Sequence, residues 1–480
     1  MGGSSADALA HLGQAEAIVV GSGPNGLAAA IACARAGLKA VVVEQSATIG
    51  GGIRTADLTL PGFHHDVCSA IHPLALTSPF FGQLDLGRFG LEWIHPPSPL
   101  AHPFDDGTAA MLERSVAGTA GTLGEDAAAY RELMSPLVER WDELVRDILG
   151  PLRLPHHPLV LARFGLKAAR SARGLAEACF TGQRARGLFA GLAAHSFLSL
   201  ERAPSAAFGL VLGLSAHAVG WPMPRGGSQS LADALTARLQ STGGAVITNL
   251  QIKSLDQLPP SQLTFLDVAP RQVLQLAGSR LSGFYRRQLE RYRYGPGIFK
   301  IDWALSGPIP WRAAECRRAG TVHLGGSLEE IAYSEAQVAR GEHPQRPFVL
   351  LAQQSLFDPS RAPAGRHTGW AYCHVPNGSS VDMTEQIERQ VERFAPGFGE
   401  LILARHTRCA SELEAYNPNC VGGDINGGAM DWRQLLFRPA VRIVPYATSA
   451  KGLYICSSST LPGGGVHGMC GYNAAQAALG

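Results

Sequence analysis

The sequence predicts an α/β protein in which a parallel-sheet domain is interleaved with an α+β domain, and three observations carry that prediction. First, a short apolar run at residues 17–20 ends in the glycine spacing G-x-G-x-x-G. Second, a glycine loop at 463–465, near the other end of the chain, also follows an apolar run. Third, the long region between them changes to helical stretches and then to mixed strands and loops. A chain of 480 residues has room for two or three domains of ordinary size.

The first glycine motif has the complete context of a βαβ unit. Residues 17–20 predict a buried parallel strand, and the Ala-rich stretch 27–37 predicts a helix that ends at a glycine. A second strand follows in 39–46 and ends at Glu44, which lies 18 residues beyond Gly26. An acid at that distance reaches a ribose 2′-hydroxyl and argues against a 2′-phosphate. The unit therefore predicts a Rossmann-like dinucleotide-binding domain.

Each glycine of the motif has a separate task in such a site. Gly21 permits the tight turn, Gly23 lets the backbone approach a pyrophosphate, and Gly26 lets the helix pack closely on the strand. The helix N-terminus then faces the anion. The alternative is a glycine-rich turn in another kind of α/β protein, and the strand, the helix and the acid together argue against it.

A second glycine loop, "ATIGGGIRT" at 47–55, comes directly after the second strand. The backbone amides of Gly51 and Gly52 and the guanidinium of Arg54 suit a further contact with a pyrophosphate. A solvated loop that contains an arginine is the alternative at this point.

The C-terminal stretch predicts a second anion site. Residues 453–456 predict a strand, 463–465 a glycine loop, and a helix is expected from about His467 to Leu479. A helix N-terminus after a glycine loop favours negative charge, such as that on the N1 edge of a reduced flavin.

These two end segments, together with "GWPMPRGGSQSLADAL" at 220–235, resemble the phytoene-desaturase-like flavoproteins of the amine oxidase superfamily. The resemblance covers about 120 residues in three blocks. It implies non-covalently bound FAD and a Rossmann-like FAD-binding domain of the amine-oxidase type with an interleaved α+β substrate domain. The cofactor-binding residues that the motifs and the resemblance indicate are Gly21, Gly23, Pro24, Asn25, Gly26, Glu44, Gln45, Gly51, Gly52, Arg54, Thr55, Ile252, Gly464, Gly465, Val466, His467 and Gly468.

The domain organisation follows from the same pattern, with helical stretches such as "EDAAAYRELMSPLVERWDELVRDIL" in the first insertion. The segments predicted are a flexible tail at 1–15, a discontinuous FAD-binding domain at 16–75, 222–284 and 440–480, and a substrate-binding domain at 76–221 and 285–439. No second G-x-G-x-x-G follows a strand and no C-x-x-C occurs, so a disulfide-reductase design with two dinucleotide sites does not fit.

Lys300 is the first catalytic candidate, because it interrupts an apolar strand in "YGPGIFKIDWAL" and only five lysines occur among 41 basic side chains. A buried ammonium needs a partner or a lowered pKa. In the amine oxidase superfamily a similarly placed lysine lies near the flavin N5, and the resemblance suggests that role here. The alternative is an ion pair with Asp302, which alternation places on the same face.

His467 is the second catalytic candidate, because it opens the predicted C-terminal helix. There it could donate a hydrogen bond to the flavin or to the substrate and titrate near neutral pH. A helix-start histidine without a role in the chemistry is the alternative. Carotenoid desaturases more often have proline at the matching place, so the chain departs from them where the flavin is contacted.

The histidine-rich stretch "PGFHHDVCSAIHP" at 61–73 offers His64, His65, Asp66 and His72. Neighbouring residues of a strand point to opposite faces, and no compact second cluster is present, so loop packing near the flavin is expected and no metal site is predicted. The nine cysteines are odd in number and scattered, which predicts free thiols in a reducing, cytoplasmic compartment. Cys456 and Cys470 are expected to be core thiols.

The stretch 151–190 is basic, with seven Lys and Arg side chains and a single acid, Glu177. Arg163, Lys167 and Arg170 fall on one helical face. Such a helix either contacts a membrane surface, where an apolar substrate could enter, or presents an ordinary solvated face. The formal net charge of +2 and the lack of a dense basic block argue against nucleic acid as a partner.

The sequence as a whole predicts an FAD-dependent oxidoreductase acting on carbon–carbon bonds of a small lipophilic, isoprenoid- or polyene-like substrate. Desaturation, saturation and double-bond isomerisation all stay open, as do the electron acceptor and the oligomeric state. A flavin amine or amino-acid oxidase is the first alternative, favoured by Lys300. A flavin- or lipid-binding protein without turnover is the second.

Overall fold

The computed structural model describes residues 12–151 and 153–480. Its strands form two main sheets and two small sheets of two strands each. In chain order they are β1 (Ala17–Val20), β2 (Ala40–Val43), β3 (Thr55–Asp57), β4 (His64–Asp66), β5 (Trp93–Ile94), β6 (Ser98–Pro103), β7 (Ala109–Leu112), β8 (Met223–Pro224), β9 (Ala245–Ile247), β10 (Leu263–Leu266), β11 (Gly297–Leu305), β12 (Ala319–Leu324), β13 (Val349–Ala352), β14 (His367–Val375), β15 (Ile402–Arg408) and β16 (Leu453–Ile455).

The α-helices cover both faces of the first sheet and build most of the first insertion. They are α1 (Pro24–Arg35), α2 (Pro73–Thr77), α3 (Val116–Gly121), α4 (Ala127–Val138), α5 (Trp141–Ile148), α6 (Pro158–Ala168), α7 (Ala172–Cys179), α8 (Gln183–Ala194), α9 (Ser205–Ala218), α10 (Gln229–Gln240), α11 (Pro270–Ala277), α12 (Gly283–Glu290), α13 (Leu328–Ala339), α14 (Thr384–Phe394), α15 (Ala410–Tyr416), α16 (Trp432–Phe437) and α17 (Met469–Leu479).

The first sheet is parallel and has the strand order β16-β10-β1-β2-β9. Its strands come from three separate stretches of the chain, and β1 and β2 are buried along their whole length. Burial on both faces explains why these strands read as continuous Ala, Ile and Val rather than as alternating patterns. The predicted α/β class with a Rossmann-like domain is confirmed.

The second sheet has the order β15-β11-β14-β13-β12-β6-β7 and is antiparallel except where β6 pairs with β12. Its central strand β11 pairs with β14 over nine residues, and all nine residues of β11 are buried. Helices α3 and α8 contact strand β7 of this sheet, and α8 also packs on α9 and α13. The sheet and these helices come from the stretches 76–221 and 285–439, for which the sequence predicts the substrate-binding domain.

Helices α1 and α17 pack against each other at very close range. A Cβ atom added to Gly471 of α17 would lie 1.7 Å from the carbonyl oxygen of Asn25, so only glycine fits there. The two ends of the chain are therefore joined through the helices that follow β1 and β16.

The structure differs from the predictions in four places. The flexible tail predicted over 1–15 does not extend to residue 15, because Leu12 and Ala15 pack against Ile18 and Val43; residues 1–11 lie outside the described part. Helix α1 begins at Pro24 instead of Leu27, as proline suits a first helical turn.

The other two differences concern the flavin-domain strands and the last helix. Only Ala245–Ile247 of the strands predicted over 243–255 is a strand, because Asn249 has a left-handed φ of 57° and Ser254 caps a 3-10 turn. Helix α17 begins at Met469, since Gly468 adopts a left-handed φ of 67° and leaves His467 outside the helix.

Candidate active site

A cavity of about 370 Å³ reaches from the glycine motif to the second sheet. We call its first part the nucleotide half, which is lined by residues 22–25, 44–46, 51–54 and Asp267. We call its second part the inner half, which is lined by residues of the helical insertion and the second sheet, namely His195, Phe197, Leu212, Trp221, Ile298, Thr321, Leu350, Ala352, Trp370 and Tyr372.

The glycine motif works through close packing, as the sequence predicts. Gly21 has a φ of +104°, and a Cβ atom on Gly26 would lie 2.2 Å from the carbonyl oxygen of Gly21. A Cβ atom on Gly23 would lie 2.6 Å from the carboxylate of Asp267. The turn therefore holds the N-terminus of α1 directly behind the end of β1, with backbone close to the cavity.

Glu44 lies at the end of β2 and organises this part of the cavity. Its Oε2 accepts hydrogen bonds from the backbone N–H of Ser22 (3.1 Å) and the Ser22 hydroxyl (2.6 Å). Its Oε1 accepts from the backbone N–H of Ser46 (2.9 Å) and from the Arg54 guanidinium (3.2 Å). Glu44 and Arg54 are both buried and both line the cavity. The acid predicted for a ribose hydroxyl and the predicted arginine are therefore neighbours.

Asp267 is a site residue that the sequence analysis missed. It follows β10 directly, and its Oδ2 accepts a hydrogen bond from the backbone N–H of Gly26 at 2.9 Å. Burial raises the pKa of Asp267 to about 7, and the charge of Glu44 acts in the same direction. Its position after a parallel strand is the signal that could have found it, because the carboxyl ends of these strands meet at one edge of the sheet.

Two buried amide side chains in the cavity wall lack partners within the described residues. They are the Asn25 Oδ1, in the first turn of α1, and the Nδ2 of Asn426, a residue beside Gly464. Buried polar atoms are rarely left without a hydrogen bond, so both atoms point to a ligand that supplies one.

The predicted cofactor residues divide into two groups. Those that line the cavity are Gly23, Pro24, Asn25, Glu44, Gln45, Gly51, Gly52, Arg54, Gly465 and Val466. Those outside the lining are Gly21, Gly26, Thr55, Ile252, Gly464, His467 and Gly468.

The second group shapes the site from behind. The hydroxyl of Thr55 donates to Asp66 at 2.8 Å and accepts from the backbone N–H of Gln229. Ile252 packs into the apolar cores beside the first sheet. A Cβ atom on Gly468 would lie 2.4 Å from the ring of Phe81, so that glycine serves helix packing.

His467 is buried behind the glycine loop rather than exposed to the cavity. Its Nδ1 accepts a hydrogen bond from the backbone N–H of Met469 at 3.0 Å, and its carbonyl oxygen accepts from the Ser78 hydroxyl at 2.6 Å. Burial lowers the pKa of His467 to about 4. The expectation that it titrates near neutral pH is therefore wrong, and the geometry favours the alternative of a helix-start histidine.

Lys300 forms a buried ion pair with Asp302. Burial lowers the pKa of Lys300, although Asp302 counteracts this effect. His65 Nδ1 and His406 Nδ1 lie 3.7 and 3.8 Å from the same carboxylate. Lys300 does not line the cavity. Trp370 lines it, and the centroid of its ring lies 5.7 Å from the Nζ of Lys300. Of the two roles considered for Lys300, the geometry favours the ion pair.

The histidine-rich stretch forms the hairpin β3–β4 and its exit. His64 faces Asp57 at the surface, whereas Asp66 forms a buried 2.7 Å ion pair with Arg361, a partner the sequence did not indicate. His72 lines the cavity and its Nε2 lies 2.8 Å from the Ser228 hydroxyl. In the part of the chain that the structure describes, no group of three or more His, Cys, Asp or Glu side chains could hold a metal ion.

The cysteines are unpaired, and both Cys456 and Cys470 are completely buried. Burial raises the pKa of Cys470 to about 11 and that of Cys456 well above its ordinary value. Both therefore behave as the core thiols that the sequence predicts.

The basic stretch contains helices α6 and α7 and the first part of α8. On α6, Leu159 and Leu166 are 84% and 79% exposed, and Arg163 is exposed beside them. Within residues 12–151 and 153–480, none of the helices has the length and apolar character needed to cross a bilayer.

Comparison with known proteins agrees with this architecture. A family model described as an NAD(P)-binding Rossmann-like domain matches residues 19–80. The chain is 25% identical to pyridine nucleotide-disulfide oxidoreductase domain-containing protein 2 of Rattus norvegicus, over 96% of this chain and 92% of that one. It is 24% identical to a phytoene desaturase (neurosporene-forming) of Rhodobacter capsulatus, with the same two coverages. The structure of a putrescine oxidase bound to putrescine superimposes with a TM-score of 0.61 and 16% identity, over 97% of this chain and 99% of that one.

The fold and the site together indicate a dinucleotide-binding protein. The chain has a Rossmann-like dinucleotide-binding domain, and its overall fold is similar to that of a putrescine oxidase. The glycine turn, the acid at the end of β2 and the unpartnered Asn25 and Asn426 atoms fit a dinucleotide such as FAD.

Proposed function

We propose that this protein is an FAD-dependent oxidoreductase that acts on carbon–carbon bonds of a lipophilic, isoprenoid- or polyene-like substrate. The reaction classes are desaturation, saturation and double-bond isomerisation. The observation that carries the proposal is one continuous cavity that joins the nucleotide half to an inner half with apolar and aromatic walls.

The nucleotide half supplies binding and orientation for FAD. The glycine turn and the N-terminus of α1 would face the pyrophosphate, and Glu44, held by Ser22 and Arg54, would accept hydrogen bonds from a ribose. Gly465 and Val466 line the same cavity and would help to hold the cofactor. When bound, FAD supplies hydride transfer to or from a substrate carbon.

The inner half supplies the apolar environment. Trp370 and Tyr372 follow each other on one face of β14, with their rings perpendicular and 5.3 Å apart. Together with Trp221 and Leu350 they would keep water away from a bound substrate, which would limit side reactions during hydride transfer.

An amine oxidase is the second candidate, supported by the structural similarity to putrescine oxidase. Lys300, which favoured this candidate in the sequence, is paired with Asp302. A flavin- or lipid-binding protein without turnover is a third candidate, and it predicts a bound flavin that no substrate reduces.

We also propose that the exposed face of α6 contacts an anionic membrane surface, from which a lipophilic substrate could enter. Leu159 and Leu166 would enter the lipid, and Arg163 and Lys167 would pair with lipid headgroups. Exposed leucines of this size on a helix that also carries an arginine and a lysine support the proposal, because a purely solvated face would be polar.

An absorption spectrum of the purified protein, before and after heat or acid release of the cofactor, tests the proposal first. The two visible bands of oxidised flavin and a free cofactor identified as FAD are expected. Gly23→Ala and Glu44→Ala should lower FAD content, whereas Gly82→Ala, where an added Cβ atom meets nothing within 4 Å, should not. A protein that stays colourless with added FAD would overturn it.

Anaerobic reduction of the bound flavin then separates the candidates. Bleaching by polyenes or isoprenoids, and not by amines, is expected from the proposed function. Bleaching by amines with release of peroxide on admission of oxygen would favour the second candidate.

A further inference from the structure

The inner half of the cavity carries polar side chains on an otherwise apolar wall. Its apolar side chains include Phe197, Leu212, Trp221, Ile298, Leu350 and Trp370. Among them stand His195, Thr321 and Tyr372. A few well-placed polar groups in an apolar pocket usually fix the orientation of a ligand.

His195 is held by a second histidine. It follows the last residue of α8, and its Nε2 lies 3.1 Å from the Nε2 of His323, which is fully buried on β12. One imidazole donates this hydrogen bond and the other accepts it, so His195 Nε2 is occupied. The nitrogen that is left for a ligand is Nδ1, and the ring is fixed further by edge-on contact with Trp221 at 6.0 Å.

Both histidines are neutral at physiological pH. Burial lowers the pKa of His195 to about 3 and lowers that of His323 well below its ordinary value. A neutral imidazole can donate or accept a hydrogen bond, according to its tautomer. It offers no negative charge to a cationic ligand.

The carboxylates of the cavity lie elsewhere. Glu44 and Asp267 border the glycine turn, and Asp424 accepts hydrogen bonds from the backbone N–H groups of Gly295 and Asn426. Among the described residues that line the inner half, none is a carboxylate. An ammonium group placed there would therefore lose its hydration without gaining an ion pair.

Thr321 provides a second, independent sign of a ligand. Its side chain is almost completely buried, and its Oγ1 has no hydrogen-bond partner within the described residues. Thr321 and His323 are two positions apart on β12, so their side chains lie on the same face of the strand. An unpartnered buried hydroxyl is unfavourable unless a ligand pairs with it.

The backbone two residues after His195 is strained, and this strained residue forms part of the cavity wall. Phe197 has a φ of 57°, a left-handed conformation that is rare for a bulky residue. Its ring lines the cavity and packs on His374 with 3.9 Å between ring centroids. Strain of this kind is concentrated at ligand and active sites.

We propose that His195, held in place by His323, binds the polar head of a substrate that is otherwise apolar, and that this head is a neutral hydroxyl or carbonyl group. Thr321 is the second hydrogen-bond partner of that head. The inference rests on the proposed function, because it names the substrate class of the same cavity.

The test measures binding of three ligands with one carbon skeleton to the FAD-loaded, full-length protein. The probes are geraniol, geranylamine and the hydrocarbon 2,6-dimethylocta-2,6-diene. Titration calorimetry gives the affinities, and fluorescence of Trp221 and Trp370, which line the cavity, gives a second readout. Geraniol should bind about tenfold more tightly than the hydrocarbon, which corresponds to one net hydrogen bond, and geranylamine should bind no more tightly than the hydrocarbon.

Variants locate the effect. His195→Phe should weaken geraniol binding about tenfold and leave the hydrocarbon within about twofold. His195→Gln, which keeps a donor and an acceptor, should restore part of the preference, and Thr321→Val should remove part of it. His156→Phe, at an exposed histidine outside the cavity lining, is the matched control.

Three results would overturn the inference: equal affinity for geraniol and the hydrocarbon, tightest binding of geranylamine, or a His195→Phe variant that weakens all three ligands alike. If His195→Phe does not fold, His195→Gln and Thr321→Val decide between the same outcomes. A protein that holds FAD but shows no preference for the hydroxyl loses this inference and keeps the proposed function. A protein that takes up no FAD loses the proposed function, and the head-group preference is then still measured on the cofactor-free chain.

Discussion

Two roles were considered for Lys300: a catalytic lysine near the flavin and a buried ion pair with Asp302. The two residues lie on the same face of β11, because side chains alternate along a strand, and both are almost completely buried. Lys300 holds the pKa of Asp302 below its ordinary value although burial acts in the opposite direction. A buried charge that loses its partner is strongly unfavourable, so the pair has a measurable signature.

Lys300→Met should lower the free energy of unfolding by about 3–5 kcal/mol, since it leaves Asp302 buried and uncompensated. The double variant Lys300→Met/Asp302→Leu should recover most of that loss. Urea unfolding of the FAD-loaded protein measures both. If Lys300→Met unfolds like the wild type but slows reoxidation of the reduced flavin, the ion-pair role is wrong and the catalytic role is right.

Asp267 should make FAD affinity depend on pH. Its pKa of about 7 means that the folded chain keeps the proton up to that pH, whereas the unfolded chain releases it near its ordinary value of about 4. Above about pH 7 the carboxylate is charged beside the turn that faces the pyrophosphate, so FAD should bind less tightly as pH rises through 7. Asp267→Asn should flatten this dependence, measured as the FAD dissociation constant from pH 5 to 9.

The same proton changes the stability of the cofactor-free protein. A raised pKa in the folded state means that stability is greatest below about pH 4 for this group and falls as pH rises towards 7. Asp142→Asn, at an exposed carboxyl in helix α5, should change neither profile. An unaltered pH dependence in Asp267→Asn would refute this role of Asp267.

The residues of the site differ in how far the sequence reveals them. Gly23, Glu44 and Arg54 lie within one βαβ unit and its exit loop, so their spacing along the chain already encodes their arrangement in space. Asp267 and His195 reach the cavity from distant segments. Asp267 is marked only by its place directly after a strand, and nothing local marks His195, because its proximity to the cavity depends on the packing of α8.

At the scale of elements, α6 is the helix whose surface is least explained by the packing of this chain. Phe164 and Ala168 face the protein, whereas Leu159 and Leu166 face outward. Of the three basic residues predicted on one helical face, Arg163 and Lys167 lie in α6, whereas Arg170 follows the end of the helix and donates a hydrogen bond to the carbonyl oxygen of Gly174. The sequence pattern could not separate a membrane-facing helix from a solvated one, because both have the same charge pattern.

Binding of the protein to vesicles tests the proposed role of α6. In sedimentation with vesicles, the wild type should bind phosphatidylserine-containing membranes more strongly than neutral phosphatidylcholine, and less strongly at high salt. Leu159→Ser/Leu166→Ser should reduce binding at least several-fold, because each side chain contributes about 1.5–3 kcal/mol when buried in an apolar phase.

A matched control uses an exposed apolar residue of another element. Leu403→Ser, on strand β15, should leave vesicle binding unchanged. Equal binding by the wild type and the double serine variant would show that α6 presents a solvated face.

At the scale of the whole molecule, the cavity lies between elements from distant parts of the chain, so bound FAD should stabilise the protein. Added FAD at about 100 times its dissociation constant should contribute about 2.7 kcal/mol. The melting temperature of the cofactor-free protein should therefore rise with FAD concentration, and Glu44→Ala should need more FAD for the same rise. A melting temperature that does not respond to FAD would contradict the placement of the cofactor in this cavity.

The class of the fold was predictable because both glycine segments and the strands before them are local patterns. The order of the second sheet was not, since β6 and β7 join strands that come some 200 residues later. Strands that pair over such long distances along the chain have no characteristic spacing in the sequence, so their pairing could not be predicted. The same limit explains why Arg361 was not recognised as the partner of Asp66.

The close contact between α1 and α17 has a consequence for the folding of the protein during its synthesis on the ribosome. Strand β16 and helix α17 are synthesised more than 400 residues after β1 and α1, yet β16 lies in the same sheet as β1 and Gly471 packs against Asn25. At translation rates of about 5–20 residues per second, the apolar face of α1 waits on the order of half a minute or longer for its partner. We therefore expect the nascent chain to bind chaperones. A variant that lacks residues 451–480 should aggregate instead of forming a smaller folded protein.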